Sequence, residues 1–490
     1  MKVLVVSSEM VPFAKTGGLA DVTGTLPKML MKKGLEVACI LPKYRSVTGE
    51  RYSLENTGVK IRVPIGNRAE EGGILSTVLG GGLSCYFIEN ERYFNREYLY
   101  ATKDGDYVDN AERFIFFTRA VFEFIVSRGT RFDIIHSNDW QTALIPVYLR
   151  TLYSGFDIFA ETASVFTIHN LGYQGLFWSH DMPLTGLGWE MFTPRALEFY
   201  GKMNFLKGGL VFSDVLNTVS ETYAKEIQTA EFGFGLDGVL YGERENLFGI
   251  LNGVDYEIWS PESDGYIRAN YTRDDLSGKV ECKKDLLQEY GFAVSDVETP
   301  VIGIISRLVA QKGFDILYEI GSELAGLDVK FVILGTGERK YEDFFLEMAA
   351  RYPSKFGVKI AYDDAIAHKI EAGADMFLMP SLYEPCGLNQ IYSLKYGTVP
   401  VVRNTGGLAD TVVDVDEDPE RGTGFKFSRY RATHLFGAIV RALSWYHKKE
   451  EWKEMMVRGM ELDFSWDVSA SKYVELYKKA LEKRGVHTYE

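Results

Sequence analysis

Thr16-Gly17-Gly18-Leu19-Ala20-Asp21 and Thr405-Gly406-Gly407-Leu408-Ala409-Asp410 are the same hexapeptide, occurring once near each end of the chain. Each copy follows a short apolar run and opens a stretch with helical patterning. A strand that feeds a helix through a Gly-Gly turn is the building unit of a parallel α/β sheet. Its appearance in both halves predicts two such sheets. Outward from the first copy, β-branched runs recur at residues 3–7, 36–41, 83–88, 133–136, 164–169 and 215–219. Helical stretches at 19–33 and 112–127 lie among them. Outward from the second copy, a further set reads 246–252, 301–306, 330–334, 359–362, 376–380 and 399–403. Helices are expected there at 314–325, 340–351, 368–373 and 389–396. Continuous apolar strands alternating with helices mark buried parallel sheets. The fold class is therefore α/β, with two doubly wound domains joined near residues 245–260. The polar, turn-rich stretch 261–279 reads as a surface excursion. Helices at 433–445, 451–460 and 468–483 close the chain, the last one capped by Ser465 or Asp467.

The chain has 490 residues, 46% hydrophobic and 25% charged, which suits two large cores. Its formal net charge is −14, and it has no basic run of the kind that grips nucleic acid. Cys39, Cys85, Cys282 and Cys386 show no CxxC or zinc-type spacing, which suggests a reducing compartment. The opening apolar run covers only residues 3–6, too short for a signal peptide's apolar core, and no stretch reaches transmembrane length. A cytoplasmic protein with no membrane partner is expected.

The chemistry is expected at strand ends. Lys15 with Gly17 and Gly18 makes a cationic helix start of the kind that cradles a diphosphate, the alternative being a tight turn with an exposed lysine. The chain lacks both the G-x-G-x-x-G dinucleotide fingerprint and the Walker lysine motif. Arg307 and Lys312 sit five apart after an apolar strand, where they can neutralise a leaving diphosphate or stand as solvated surface charges. Glu384-Pro385-Cys386-Gly387-Leu388-Asn389 follows another strand and precedes a helix. The Glu384 carboxylate there can bond sugar hydroxyls, and Gly387 and Leu388 offer N–H groups. Cys386 reads as a small packed residue rather than a nucleophile. Asp139-Trp140-Gln141 and His169-Asn170 end first-half strands, and Tyr362 ends a second-half strand where it can stack on a base. D-x-D pairs at Asp104/Asp106 and Asp414/Asp416 read as acidic surface turns rather than a catalytic metal site.

These residues resemble the blocks of bacterial and plant glycogen/starch synthases. The resemblance rests on Lys15-Thr16-Gly17-Gly18-Leu19-Ala20-Asp21-Val22, Asp139-Trp140, His169-Asn170 and Asn252-Gly253-Val254-Asp255. It continues through Ser306-Arg307-Leu308, Lys312-Gly313, Glu384-Pro385-Cys386-Gly387-Leu388 and Thr405-Gly406-Gly407-Leu408, in the family's order across nearly the whole chain. It implies a GT-B architecture. Two Rossmann-like domains, 1–248 completed by 466–490 and 249–465, face a deep cleft, with the C-terminal helix crossing back to the first. It implies that the second domain holds ADP-glucose or UDP-glucose and the first an α-1,4-glucan such as glycogen or a maltooligosaccharide. Glucose then passes to the non-reducing 4-hydroxyl with retention, without cofactor or metal. Carried over, Glu384, His169, Asp139, Arg307 and Lys312 are catalytic. Lys15, Gly17, Gly18, Asp21, Asn170, Asn252, Tyr362, Cys386, Gly387, Leu388 and Asn389 bind donor. Two positions depart from the family's pattern, Gln141 where it usually has His and Asn389 where Thr is common, whereas Tyr392 stands, as in glycogen synthases, where sucrose-synthase-like relatives carry a second Glu. Another retaining GT-B enzyme with a small-molecule acceptor, or a non-catalytic glucan-binding relative, is the alternative.

Overall fold

The computed structural model describes residues 1–486, and the chain divides into two compact units. The first comprises Met1–Val219, Ala224–Gly253 and the chain from Trp466. The second comprises Ser220–Tyr223 and Val254–Ser465. Residues 487–490, within the segment expected to complete the first domain, lie outside the described residues.

The first unit is built on β1 (Lys2–Val6), β2 (Glu36–Pro42), β3 (Glu55–Ile65), β4 (Arg68–Leu79), β5 (Leu83–Glu89), β6 (Ile134–Asn138), β7 (Ala163–Ile168), β8 (Leu176–Trp178), β9 (Glu198–Phe199), β10 (Lys202–Asn204), β11 (Val215–Thr218) and β12 (Leu247–Gly249). Nine of these form one sheet in the order β12-β11-β7-β6-β1-β2-β5-β4-β3. Its pairs are parallel except β3–β4 and β4–β5, an antiparallel extension that the strand pattern did not disclose. β8, β10 and β9 form a separate small sheet. The run at 246–252, expected to open the second domain, is a correction: β12 pairs in parallel register with β11 and belongs to the first sheet. A boundary at 248/249 would cut through that strand, and the second unit resumes at Val254.

Helix Gly18–Lys32 buries Leu19, Val22, Leu26 and Leu30, spaced to form one apolar stripe. Helix Trp466–Lys483 buries Trp466, Ala470, Tyr473, Tyr477 and Leu481 in the core of the same unit. It starts at Trp466, so Asp467 lies in its first turn, paired with Lys33 at 2.7 Å and favourable to the positive end of the helix.

The second unit holds β13 (Val301–Ile305), β14 (Lys330–Leu334), β15 (Phe356–Lys359), β16 (Met376–Met379), β17 (Val399–Arg403) and β18 (Phe425–Phe427). They form one sheet in the order β15-β14-β13-β16-β17-β18, every pair parallel. The helix expected over 314–325 breaks at Ile320 into Phe314–Glu319 and Gly321–Ala325. The stretch 261–279 is a largely exposed loop up to the helix that starts at Ser277, as expected, but it is pinned to the unit at two points. Asp264 is buried, bonded by His368 Nδ1 at 2.7 Å and the Tyr396 hydroxyl at 2.5 Å. Tyr271 donates to the Tyr396 carbonyl at 2.7 Å. Other polar groups of the segment, among them Glu262, Arg268, Arg273, Asp274 and Asp275, are exposed, so a few buried anchors hold an otherwise solvated loop.

β1 lies between β2 and β6, and β13 lies between β14 and β16. In each sheet the chain order reverses at that strand. The crevice at the carboxyl ends of such a pair is where open α/β sheets bind ligands.

Candidate active site

In the first unit, the loop after β1 carries Glu9, and the loop after β6 carries Asp139. Glu9 is buried, and its carboxylate accepts from the Thr16 N–H at 2.5 Å, the Thr16 hydroxyl at 2.6 Å and the Gly17 N–H at 3.3 Å. The Tyr100 hydroxyl also reaches it at 2.8 Å. The Gly17 N–H, expected to face a diphosphate, is thus directed at an internal carboxylate. Above Gly17 and Gly18 there is open space, since a methyl group on either would meet nothing within 4 Å. Lys15 pairs with Asp21 at 2.8 Å on this rim. Sequence reading missed Glu9. Its signal was a charged residue in the short loop just after the apolar first strand, where a carboxylate that becomes buried needs donors.

Asp139 has φ 56°, a left-handed conformation that side chains bearing a Cβ seldom adopt. Its N–H donates to the Thr167 carbonyl at 3.0 Å, and its carboxylate accepts the His169 N–H at 2.7 Å. Burial pushes the Asp139 carboxyl up to about 7. The N–H groups of His169 and Asn170 pull against that rise, and the Glu9 charge adds to it. Burial likewise pushes the His169 imidazole down to about 3, so the ring is neutral at physiological pH. His169 Nε2 lies 2.9 Å from Asn138 Oδ1. The Asn138 amide nitrogen donates to the Val6 carbonyl at 3.1 Å, which leaves its oxygen to accept. Nε2 therefore carries the proton, and Nδ1 is left as an acceptor. Asn170 Oδ1 accepts from the Gly172 N–H at 2.9 Å. Asn252 Oδ1 and Gln141 Oε1 are buried with no hydrogen-bond partner among the described residues.

In the second unit, Arg307 and Lys312 follow β13, and Glu384 follows β16. Arg307 is exposed. Lys312 Nζ pairs with Glu384 Oε2 at 2.6 Å, and the Ser381 hydroxyl donates to the same oxygen at 3.0 Å. Gly387 has φ 71°, which turns the chain into helix Asn389–Lys395. Cys386 is buried, as expected of a packed residue. Leu388 immediately precedes the helix, and the Asn389 amide braces the end of β13 by donating to the Ile305 carbonyl at 3.0 Å. Tyr362 is not at a strand end, because β15 stops at Lys359. It stands 78% exposed in the turn beyond. The second Gly-Gly differs from the first. A methyl on Gly406 would strike the Glu384 carbonyl, and one on Gly407 the Cys386 carbonyl. This pair supports the Glu384 loop rather than opening onto ligand space.

Asp414 is not a surface acid. It is buried, paired with Arg441 at 2.9 Å and accepting the N–H of Lys426 at 2.5 Å. Asp104 and Asp106 lie exposed in a short hairpin. Among the described residues, no helix is long and apolar enough to cross a membrane.

Both units of the chain match known proteins. Residues 2–242 match the starch synthase catalytic domain, and residues 292–456 match glycosyl transferases group 1. The chain is 50% identical to a glycogen synthase of Koribacter versatilis over 99% of both chains. It is 49% identical to one of Thermotoga maritima over 99% of this chain and all of the other. Among solved structures, the catalytic domain of starch synthase IV from Arabidopsis thaliana, bound to ADP and acarbose, superposes with TM-score 0.88. That pair shares 34% identity and covers 98% of this chain and 99% of the other. The fold and matches define a two-domain glycosyltransferase of the GT-B type. The chain belongs to the glycogen (starch) synthase family.

Proposed function

We propose that the enzyme transfers glucose from ADP-glucose to the non-reducing 4-hydroxyl of an α-1,4-glucan, with retention and without a metal ion or other cofactor. The second unit (expected from residue 249) would hold the donor and the first unit the glucan. The observation that carries this is the Arg307, Lys312 and Glu384 set at the switch point of the second sheet. The starch synthase neighbour bound to ADP and acarbose supports the nucleotide and the glucan.

Arg307 grips the diphosphate through its planar fork, and Lys312 adds a point charge. Together they stabilise the largest charge that develops as the nucleotide leaves. In the second unit Tyr362 stacks on the base and Glu384 contacts the transferred glucose; in the first unit Lys15 and the Gly18 N–H offer an anion a positive group and Asn252 offers a sugar a polar contact. Asp139, His169 and Asn170 hold the reacting sugar and acceptor. His169 Nδ1 accepts a hydroxyl proton as a hydrogen bond. The Asp139 carboxylate is held by backbone N–H groups and Glu384 by Lys312. That engagement supports attack by the acceptor on the face the nucleotide leaves, over a covalent glucosyl-enzyme.

The test is nucleotide release from ADP-glucose and UDP-glucose with glycogen as sole acceptor, with and without EDTA. EDTA-resistant ADP release with label in α-1,4-linked polymer is expected. Arg307→Ala and Lys312→Ala should each lower kcat about 100-fold or more, the scale of losing a transition-state charge contact. Normal turnover in either folded variant removes the diphosphate role. Transfer only to a small sugar replaces the glucan acceptor, and no release from either donor points to a non-catalytic glucan binder.

A further inference from the structure

The small sheet β8-β10-β9 carries a surface that the reacting groups do not use. Its register sets Trp178 opposite Lys202, and Lys202 opposite Phe199, so the three side chains stand in one row on one face. Tyr200 lays its ring against Phe199 with centroids 4.7 Å apart. Trp178 is 74% exposed and Tyr200 83%. Gly235 lies against the Phe199 and Tyr200 rings, which brings exposed Phe234 to the same patch.

Two of these aromatics have backbones that bulky residues avoid. Tyr200 and Phe234 both have φ 49°. Such strain persists only where the surroundings impose it, and it gathers at binding sites. Burial does not reward it here, because both rings face solvent. Buried amides pin the segment instead. Gln174 donates to the Phe234 carbonyl at 3.1 Å and accepts from Asn204 at 2.7 Å. On the opposite face, Phe177 packs on Trp140 and Phe205, with centroids 5.6 and 4.7 Å away. Trp140 follows Asp139 directly, so the exposed face is anchored to the acceptor side of the reaction centre.

We infer that Trp178, Phe199, Tyr200 and Phe234 form a platform that carries an α-glucan chain outside the reaction centre. This rests on the glucan-acceptor reading above. A pyranose has an apolar C–H face and a rim of hydroxyls. Flat exposed rings beside the charged Lys202 offer partners to both. Anchoring on Trp140 makes the platform continuous with the place where a chain end would react. A long chain engages both regions at once and gains from effective concentration, whereas a short oligosaccharide fills only the centre.

The test is the Trp178→Ser/Tyr200→Gly double variant of the full chain. Glycine accepts φ 49° without strain, so that turn loses only its ring. Affinity electrophoresis through glycogen, without donor, reads binding. The ratio of kcat/KM for glycogen to that for maltotriose reads function. The dissociation constant for glycogen should rise about tenfold and the ratio fall about tenfold. Trp178→Phe, which keeps a ring, should recover most of the affinity. Unchanged affinity and ratio overturn the platform. So does lost affinity with a change of oligomeric state in sedimentation, which would make the patch a contact between copies. A wild-type protein that binds glycogen through these rings yet transfers no glucose sinks the transferase reading and leaves the platform standing.

Discussion

Asp139 sits where burial, a nearby Glu9 and two backbone N–H groups compete for its proton, with a result of about 7. At neutral pH the acid and the carboxylate are therefore both populated. Because its folded pKa is raised, Asp139 contributes stability that is fully present below the unfolded value near 3.8. That contribution is lost as pH rises through about 7. Asp139→Asn is neutral at every pH, so the stability difference between wild type and variant should shift by ~2–4 kcal/mol in favour of the variant between pH 4 and pH 8. Urea unfolding at the two pH values measures this, and a shift of opposite sign refutes the buried acid. The same variant should lose activity about 100-fold, with the pH limb near 7 missing from the residual rate. His136 and His169 act in the opposite sense, since burial depresses both to about 3. Their contribution is complete above about 6.5 and lost as pH falls toward about 3. His136 bridges the Tyr477 hydroxyl at 2.8 Å and the Thr167 hydroxyl at 2.7 Å, and since hydroxyls can accept from either ring nitrogen it is burial, not these bonds, that keeps the ring neutral. Asp139 releases a proton on unfolding in the same window, so the imidazoles are read by difference: proton uptake on unfolding at pH 5 should be larger for the wild type than for a His136→Gln/His169→Gln variant, and the difference should vanish at pH 8. Equal uptake by the two proteins at pH 5 would mean that neither imidazole is sequestered.

The two Gly-Gly turns show how one local sequence serves two elements differently. Both begin helices, at Gly18 and Gly406, as their spacing predicts. Only the three-dimensional packing distinguishes the open first turn from the second, wedged against the carbonyls of Glu384 and Cys386. Gly407→Ala should therefore destabilise the second unit by ~2–4 kcal/mol, with lost activity following from unfolding. Gly18→Ala should change stability by less than ~1 kcal/mol and raise the donor KM instead. Differential scanning calorimetry with steady-state kinetics separates the two outcomes; equal melting shifts would contradict the packing argument. Most parallel strands and their helices were legible because buried parallel strands are continuous apolar runs. The β3–β4 extension was hidden, since one face is solvated and Gly72 and Gly73 interrupt its alternation. Residues 246–252 misled because a strand's own residues do not say which sheet will pair with it. Tyr362 misled because β15 begins earlier, at Phe356. Glu9 escaped notice because its significance lies in the Thr16 and Gly17 N–H groups it meets, which no spacing reveals.

At the scale of the whole molecule, chain order and unit order differ. The last helix, Trp466–Lys483, belongs to the first unit, and its apolar period made the helix itself readable. Its partners are long-range and come from packing. Trp466, Tyr473 and Tyr477 join Val3, Val5 and Leu30 in one core, Tyr477 bonds His136, and the Ser469 hydroxyl donates to the Leu251 carbonyl at 2.7 Å. Burying Trp466, Tyr473, Leu476, Tyr477 and Leu481 is worth ~1.5–3 kcal/mol each, roughly 10 kcal/mol in all. That is comparable with the whole ~5–15 kcal/mol stability of a domain. A chain ending at Ser465 should therefore lose the folded first unit while keeping the second, whose six-stranded sheet and core draw on none of the deleted residues. Limited proteolysis of the truncated chain should leave a resistant fragment starting close to Val254, the position where the second unit resumes. Digestion of both units together would show instead that the second depends on the first. A truncated protein as resistant as wild type across residues 1–253 would show that the final helix adds little to the core it enters.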